Sequence, residues 1–500
     1  MFYLTSRRHP AGAVNQRIAV SKFASNPSLA RKSAKSTKIT NAAGGPGYSQ
    51  STKLELVSLL LTSFLQGEHY RSENAVLLRL KELVAAADPL FAAKAAVFAR
   101  NEFGMRSVSH TVAGELAKRV KGADWTRRFF NRVVRRPDDV TEILAYYLAT
   151  YKRPIPNSLK RGLGDALARF DEYHLAKYRR DGAEFKLVDA VNLCRPKPTP
   201  AIEKLVKGTL KPADTWETKL TKAGQVDETE VSVEETKAAA WRELLTEHKL
   251  GYLALLRNIR NIMQAGSDGI EPALTYMLAQ QLVFRDAIKK SLVFPFQIKT
   301  AYDIVEGLPD NRKILRALDD AIDISLDNVP KFDGTSVVIL DVSGSMAGEV
   351  SKIAGIFAAV LVKAWDADLV KFDTSAEYVS YNPKDSTMTL ASKFQFSGGG
   401  TDMPCAIRAL RKKYERLVIL SDMQTWVNDE SPVGPFNQYK QRYGAKPRVY
   451  SFDLKNYGTM AFPQEDVYAL AGFSDKVFDL MKLLEQDREA LVHRIDEVTF

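Results

Sequence analysis

Thr335 to Met346 reads TSVVILDVSGSM. Val337–Leu340 is a continuous apolar run, the mark of a strand buried on both faces. It stops at Asp341, a Ser-Gly-Ser turn follows, and Val350, Ile353, Ile356, Phe357, Val360 and Leu361 then recur at helical spacing. A buried strand entering an amphipathic helix through a short polar turn is the first unit of a doubly wound α/β sheet, where ligands sit at the carboxyl ends of the strands. Asp341, Ser343 and Ser345 alternate, so near-extended backbone leans their side chains one way. One carboxylate and two hydroxyls are hard oxygen ligands suited to Mg²⁺ or Mn²⁺. The competing reading is that Asp341 and Ser343 only cap the helix.

Two later segments favour the metal. Residues 397–402 read SGGGTD, placing Thr401 and Asp402 before a helix with Pro404 in its first turn. Leu417–Leu420 is a second apolar strand, ending in Ser421 and Asp422. The ordered set D-x-S-x-S, G-G-T-D and strand-S-D resembles the metal-ion-dependent adhesion site of a von Willebrand factor A domain. The resemblance implies that Ser343, Ser345 and Thr401 hold the ion directly and that Asp341 and Asp422 do so directly or through water. Mg²⁺ is the expected ion, with Mn²⁺ as a substitute.

At 500 residues the chain exceeds one core, so two or more domains are expected. No run of eighteen apolar residues is present, no apolar leader precedes the first domain, and no P-loop occurs. Cys194 and Cys405 stand far apart, which excludes a disulfide framework and a cysteine zinc site. A cytoplasmic monomer without membrane contact is the expectation. The net charge of +11 is uneven: residues 331–500 carry 20 Lys+Arg against 23 Asp+Glu, leaving 51 against 37 in residues 1–330. A polyanionic partner is therefore expected on the N-terminal side.

Residues 1–40 read as a basic arm. Arg7, Arg8, Arg17, Lys22, Arg31, Lys32, Lys35 and Lys38 occur in the first fifty residues without an acid. From Thr52 to about Leu326 helical patterns follow one another with short links at Gly67, Pro89, Pro137, Pro154 and Pro156. They predict helices at 52–66, 73–86, 89–101, 107–120, 125–135, 138–150, 157–169, 171–180, 185–194, 199–207, 235–246, 250–265, 271–283, 297–306 and 311–325. Thr209–Glu235 reads as a loop and no strand is expected in this region. Stacked helical pairs of a HEAT-like solenoid are the predicted architecture.

Three basic constellations lie on these helices. The first includes Lys118, Arg119, Arg128 and Arg132 around Trp125, Phe129 and Phe130. The second includes Lys177, Arg179, Arg180 and Lys186 beside Tyr178. The third is Arg257 and Arg260, three apart and predicted to share one helix face. Basic side chains neutralise phosphates and aromatic rings stack on unpaired bases. Against this, Phe129 and Phe130 also suit a core, the second cluster a solvated helix end, and the third a buried polar network. His110, among small and apolar residues, reads as a core histidine.

NAAGG at 41–45, PLFAAKAAVFARNEFGMRSVSH at 89–110, LARFDEYHLAKYRRDG at 167–182 and HKLGYLALLRNIRNI at 248–262 precede the metal motif in that order. Together they resemble the Ro RNA-binding family: a TROVE module of helical repeats, here 41–328, then a von Willebrand A domain, here 329–500. The resemblance implies an α-helical HEAT-like ring followed by an α/β doubly wound domain. It further implies a non-enzymatic ribonucleoprotein scaffold. Single-stranded 3′ ends of misfolded noncoding RNA would enter a basic central hole, Y-like RNA would bind outside, and a 3′ exoribonuclease is an implied protein partner. Lys177 and, with a one-residue shift, Arg180 match the family's basic pair for Y RNA; its histidine in the next helix falls at Leu193, which removes one contact. Two alternatives remain: a metal-dependent adhesion protein, and a serine hydrolase built on Ser345, Asp422 and His493.

Overall fold

The structure, a computed structural model, describes residues 38–500 except 42, 50, 63–72, 180–181, 184, 214, 226–231, 266–271, 397, 428–429, 456–459, 464–466, 472–476 and 487–489. The basic arm up to residue 37 lies outside the described residues. Eighteen helices run from Thr52 to Ser325 among the described residues. Several begin where the sequence supplies a cap. At Pro89–Asn101, Asp88 accepts the Phe91 amide at 2.8 Å and Pro89 fills the first helical position. Its alanines Ala92, Ala93, Ala95, Ala96 and Ala99 are all buried, so neighbouring helices approach closely.

Several expectations are corrected. Thr209–Glu235 contains the helix Trp216–Ala223, capped by Thr215, because Trp216 packs on Trp241 at 6.4 Å and draws the polar segment onto the second core. A further helix, Arg285–Ser291, buries Ile288 in the second core. The stretch predicted as one helix at 250–265 is two, Tyr252–Arg257 and Ile259–Met263. Asn258 between them has ψ 8°, and its side-chain amide bonds back to the Ala254 carbonyl at 2.9 Å, competing with the helix ladder.

The C-terminal half is the expected doubly wound α/β domain. Define β1 (Lys38–Thr40), β2 (Pro46–Tyr48), β3 (Ser336–Asp341), β4 (Asp368–Phe372), β5 (Ala376–Tyr378), β6 (Arg416–Ser421), β7 (Arg448–Asp453) and β8 (Tyr468–Ala471). The sheet order is β5-β4-β3-β6-β7-β8, with only β5 antiparallel to its neighbour. All six residues of β3 and of β6 are buried, as parallel central strands require. The chain steps from β3 outward to β4 and later returns beside β3 with β6. The switch point therefore lies between β3 and β6, at the ends carrying Asp341 and Asp422. The helix Thr387–Ser392 and strand β8 are additions to the sequence reading. The C-terminal tail forms two helices, Val477–Gln486 and Ala490–Asp496.

Strands also occur where none was expected. β1 and β2 form a hairpin, and Tyr48 pairs with Met460 and joins the core under one face of the six-stranded sheet. A boundary between residues 40 and 41 would divide this hairpin, which packs on the α/β domain.

Both ends of the helical stretch meet the α/β domain, so the ring closes through it. Thr52–Thr62 packs on β8, and Ala490–Asp496 packs on Pro89–Asn101. At the other end Phe294 stacks on Phe478 at 5.3 Å, and Phe296 meets Phe357 edge-on at 5.7 Å. One continuous core runs from the first ten helices into the sheet. No helix among the described residues is long and apolar enough to cross a membrane.

Arg416 on β6 is the largest fully buried side chain. It donates to Glu485 and to the Ser336 hydroxyl, each at 2.8 Å. Burial alone would raise the Glu485 carboxyl; the Arg416 hydrogen bond and charge outweigh it and hold it below the ordinary carboxylate value. A depressed acid stabilises above its unfolded pKa, and that stability is lost as pH falls through the folded value. Glu485→Gln is therefore expected to cost about 2–3 kcal/mol at pH 7. It should also flatten the acid limb of stability below about pH 4.5. Urea unfolding from pH 7 to pH 3 measures both.

Candidate metal centre and nucleic-acid interface

Asp341 ends β3 and is fully buried. Its Oδ1 accepts the Ser343 amide at 2.9 Å and its Oδ2 accepts the Ser421 hydroxyl at 2.6 Å. Ser343 Oγ and Ser345 Oγ are 3.1 Å apart. The following helix, Glu349–Trp365, starts beyond a turn at Gly344–Met346, with Gly348 at its N-cap position. Neither Asp341 nor Ser343 caps it, so the capping reading fails.

The glycine loop is fixed to this turn. The Gly344 amide donates to the Gly399 carbonyl at 2.8 Å, and a Cβ on Gly344 would stand 2.8 Å from the Gly398 carbonyl oxygen. Only glycine lets the two backbones approach so closely. Thr401 is buried beside this contact, and its carbonyl accepts the Thr425 hydroxyl at 3.2 Å. Asp402 caps the next helix through the Cys405 amide at 3.1 Å, and Thr401 lines one cavity with Ser345.

Asp422, one residue past β6, is fully buried. Its Oδ1 accepts the Gln424 amide at 3.2 Å, while its Oδ2 has no hydrogen-bond partner among the described residues. Burial pushes the Asp341 carboxyl up to about 6, and the charge of Asp422 adds to the rise against the pull of the Ser343 and Ser421 hydrogen bonds. Two mutually repelling buried carboxylates, one with a bare oxygen, beside three hydroxyl-bearing side chains form a donor set that suits a hard divalent cation. A cavity of about 280 Å³ opens beside it, lined by Ala43, Ser345, Gly399, Thr401, Gln424 and the half-exposed Trp426.

Two contributors were not foreseen. Asn41 of the hairpin donates to the Thr425 carbonyl at 2.8 Å, and a Cβ on Gly45 would lie 2.2 Å from that oxygen, so the NAAGG segment is pressed onto the rim of this cavity. Lys455 follows β7, donates to the Ser345 carbonyl and stands 3.8 Å from Asp422 Oδ2. The rule that pointed to Asp341 and Asp422 also reaches the end of β7, and would have found it. His493 lies on Ala490–Asp496, which packs against Pro89–Asn101, and it is not among the residues lining the cavity at Ser345.

The basic residues separate into two kinds. In the first constellation Phe129 and Phe130 are core. Arg119 donates to the Ala87 carbonyl at 3.0 Å, and Arg128 to the Phe500 carbonyl at 2.8 Å. Lys118 lies over the Tyr151 ring at 5.4 Å, and Arg132 lines a cavity with Asp479, Arg494 and Glu497. In the second, Lys177 is exposed at the end of Glu172–Lys177 beside Tyr173 and Tyr178, and Lys186 is exposed at the start of Leu187–Cys194. Arg179 reaches the Leu210 carbonyl at 3.4 Å; Arg180 lies outside the described residues. Leu193 is half-buried against the first core. In the third, Arg257 and Arg260 are both exposed, flanking Asn258, while Leu255, Leu256, Ile259 and Ile262 are buried. Among the described residues neither arginine has a carboxylate or carbonyl partner. His110 is a core histidine, 3.1 Å from Asp139.

A profile of the TROVE domain matches residues 13–229 and 216–314. The chain belongs to the TROVE domain family. Among similar proteins, telomerase protein component 1 of Mus musculus is 23% identical over 342 residues, covering 52% of this TROVE chain and 13% of that protein. The RNA-binding protein RO60 of Deinococcus radiodurans is 27% identical over 252 residues, covering 45% of this chain and 47% of that protein. The chain thus matches well under two thirds of the length of these relatives. The crystal structure of the Deinococcus radiodurans RO (RSR) protein superposes with a TM-score of 0.61 at 20% identity, covering 90% of the TROVE chain and all of that one. This likeness establishes the shared fold: a helical ring followed by an α/β domain.

Proposed function

We propose that this TROVE protein is a non-enzymatic RNA-binding scaffold whose helical ring binds Y-like RNA and single-stranded 3′ ends of noncoding RNA. The observation that carries the reading is the exposed pair Arg257 and Arg260, without protein partners among the described residues, on the half of the chain that holds the basic excess. The family match and the printed name of the bacterial relative, an RNA-binding protein, support it. Lys177, flanked by two tyrosines, is the second candidate contact. The α/β domain holds Mg²⁺ or Mn²⁺ through Ser343, Ser345 and Thr401, with Asp341 and Asp422 directly or through water. When bound, such an ion supplies a Lewis-acidic position for a carboxylate of a protein partner, of which a 3′ exoribonuclease is one candidate. The cavity beside Trp426 favours this protein-binding role.

The test is binding of a structured RNA with a single-stranded 3′ tail to the full chain. Arg257→Ala with Arg260→Ala should weaken binding and reduce the slope of log affinity against log salt by about 2. Affinity and slope unchanged by the double substitution would remove this surface from the reading. The shared core makes separated halves unsuitable for the measurement.

A further inference from the structure

The donor set contains an ammonium of its own. Lys455 Nζ donates to the carbonyl of Ser345 and stands 3.8 Å from Asp422 Oδ2, which accepts no hydrogen bond among the described residues. It therefore contacts one candidate ligand residue through its backbone and faces another through its charge. Its backbone is held at the strand end, where the Lys455 amide donates to Asp453 Oδ1 at 3.2 Å. Its side chain is 22% exposed, so the stem has a route to solvent that the fully buried Asp422 lacks.

We infer that Lys455 is a built-in competitor for the divalent cation. Resting on the metal reading above, it goes beyond it by assigning a residue outside the ligand set that fixes affinity. In the absence of a divalent ion, the ammonium offsets the Asp422 charge, a partial substitute for the missing metal. A divalent ion held by Ser343, Ser345, Thr401 and the two aspartates would face that ammonium at short range, and like charges a few ångströms apart repel strongly outside bulk water. Entry of the ion thus requires Lys455 to leave Asp422 for solvent. Affinity is lowered by the work of displacing it, and metal occupancy becomes coupled to the position of the Lys455 side chain. The site is tuned to load only when the divalent concentration is high enough to expel its own lysine.

The experiment uses the full chain, stripped with chelator, and titrates Mn²⁺ by the loss of the free-ion electron paramagnetic resonance signal. Lys455→Met should tighten Mn²⁺ binding by about tenfold or more, because the stem is kept and the charge is removed. Lys455→Arg, which keeps the charge, should stay within a few-fold of the parent. In the parent, acetylation of Lys455 followed by peptide mass spectrometry should rise several-fold on Mn²⁺ saturation, while Lys363, paired with Asp323 at 3.0 Å, stays constant as the control. This second arm decides the matter if Lys455→Met fails to fold. Equal Mn²⁺ affinity in the parent and a folded Lys455→Met, or unchanged labelling of Lys455, overturns the inference while leaving the metal site standing. Absence of saturable Mn²⁺ binding in all three proteins overturns the site and the inference together.

Discussion

Asp139→Ala is expected to destabilise the helical module by about 3–5 kcal/mol, because it strands a buried charge. Asp139 has no exposed side-chain surface, and Arg100 beside it is 5% exposed. The carboxylate accepts from Arg100 at 2.8 Å and 3.2 Å, from Arg106 at 3.1 Å, and from the backbone amides of Arg135 at 2.9 Å and Arg136 at 3.0 Å. Its neighbour Asp138 accepts from the other arm of Arg106 at 2.9 Å and from the Arg136 guanidinium at 2.6 Å and 2.9 Å. Burial would raise the Asp139 carboxyl; His110, Arg100 and the amides outweigh it and hold it far below the ordinary range. Three helices, Pro89–Asn101, Ser107–Arg119 and Pro137–Tyr151, are thereby tied at one point. Chemical denaturation of parent and variant is the measurement. A loss under about 1 kcal/mol would mean the network is no stronger than a surface pair.

Asp341→Ala should reduce Mn²⁺ affinity by about a hundredfold, the upper end of what losing an outer-shell group costs. Calorimetry on the full chain measures it. RNA affinity should stay constant, since the substitution removes a group from the strand end and leaves Val337–Leu340, all fully buried, in place. Thermal unfolding gives an independent reading. A ligand that binds only the native state raises its melting temperature by mass action, so added Mg²⁺ should stabilise the parent and leave Asp341→Ala unmoved. Saturable binding that survives the substitution would refute the assignment of Asp341.

The α/β domain was legible because its determinants are local. A buried strand announces itself through Val337–Leu340, and the motif residues follow the strands that carry them. Most helix limits were legible for the same reason: Asp88-Pro89 and Thr199-Pro200 are start signals read without tertiary knowledge. What stayed hidden depends on partners distant in sequence. PGY at 46–48 has no strand propensity to speak of, yet it becomes β2 because Met460 offers Tyr48 an edge. Trp216–Ala223 is polar enough to read as loop until Trp241 gives it a face to cover. Basic residues were visible as charge, but their tasks were not: Arg119 and Arg257 look alike in the sequence, and only the fold shows that one caps a helix end while the other is exposed with no protein partner among the described residues.

The hairpin pressed against Thr425 has a consequence for the order of synthesis. Asn41 leaves the ribosome early, and the Thr425 carbonyl that it holds follows 384 residues later. At about 5–20 residues per second, the hairpin waits roughly 20–80 seconds for its docking site to exist. Contacts so distant in sequence form slowly and late. The hairpin strands, made long before their docking site, are thus among the last to be placed, and the ring is latched only after the α/β domain has emerged. A nascent chain halted before residue 425 would carry the helices but lack the surface that latches them, open to whichever binding partner or chaperone reaches it first.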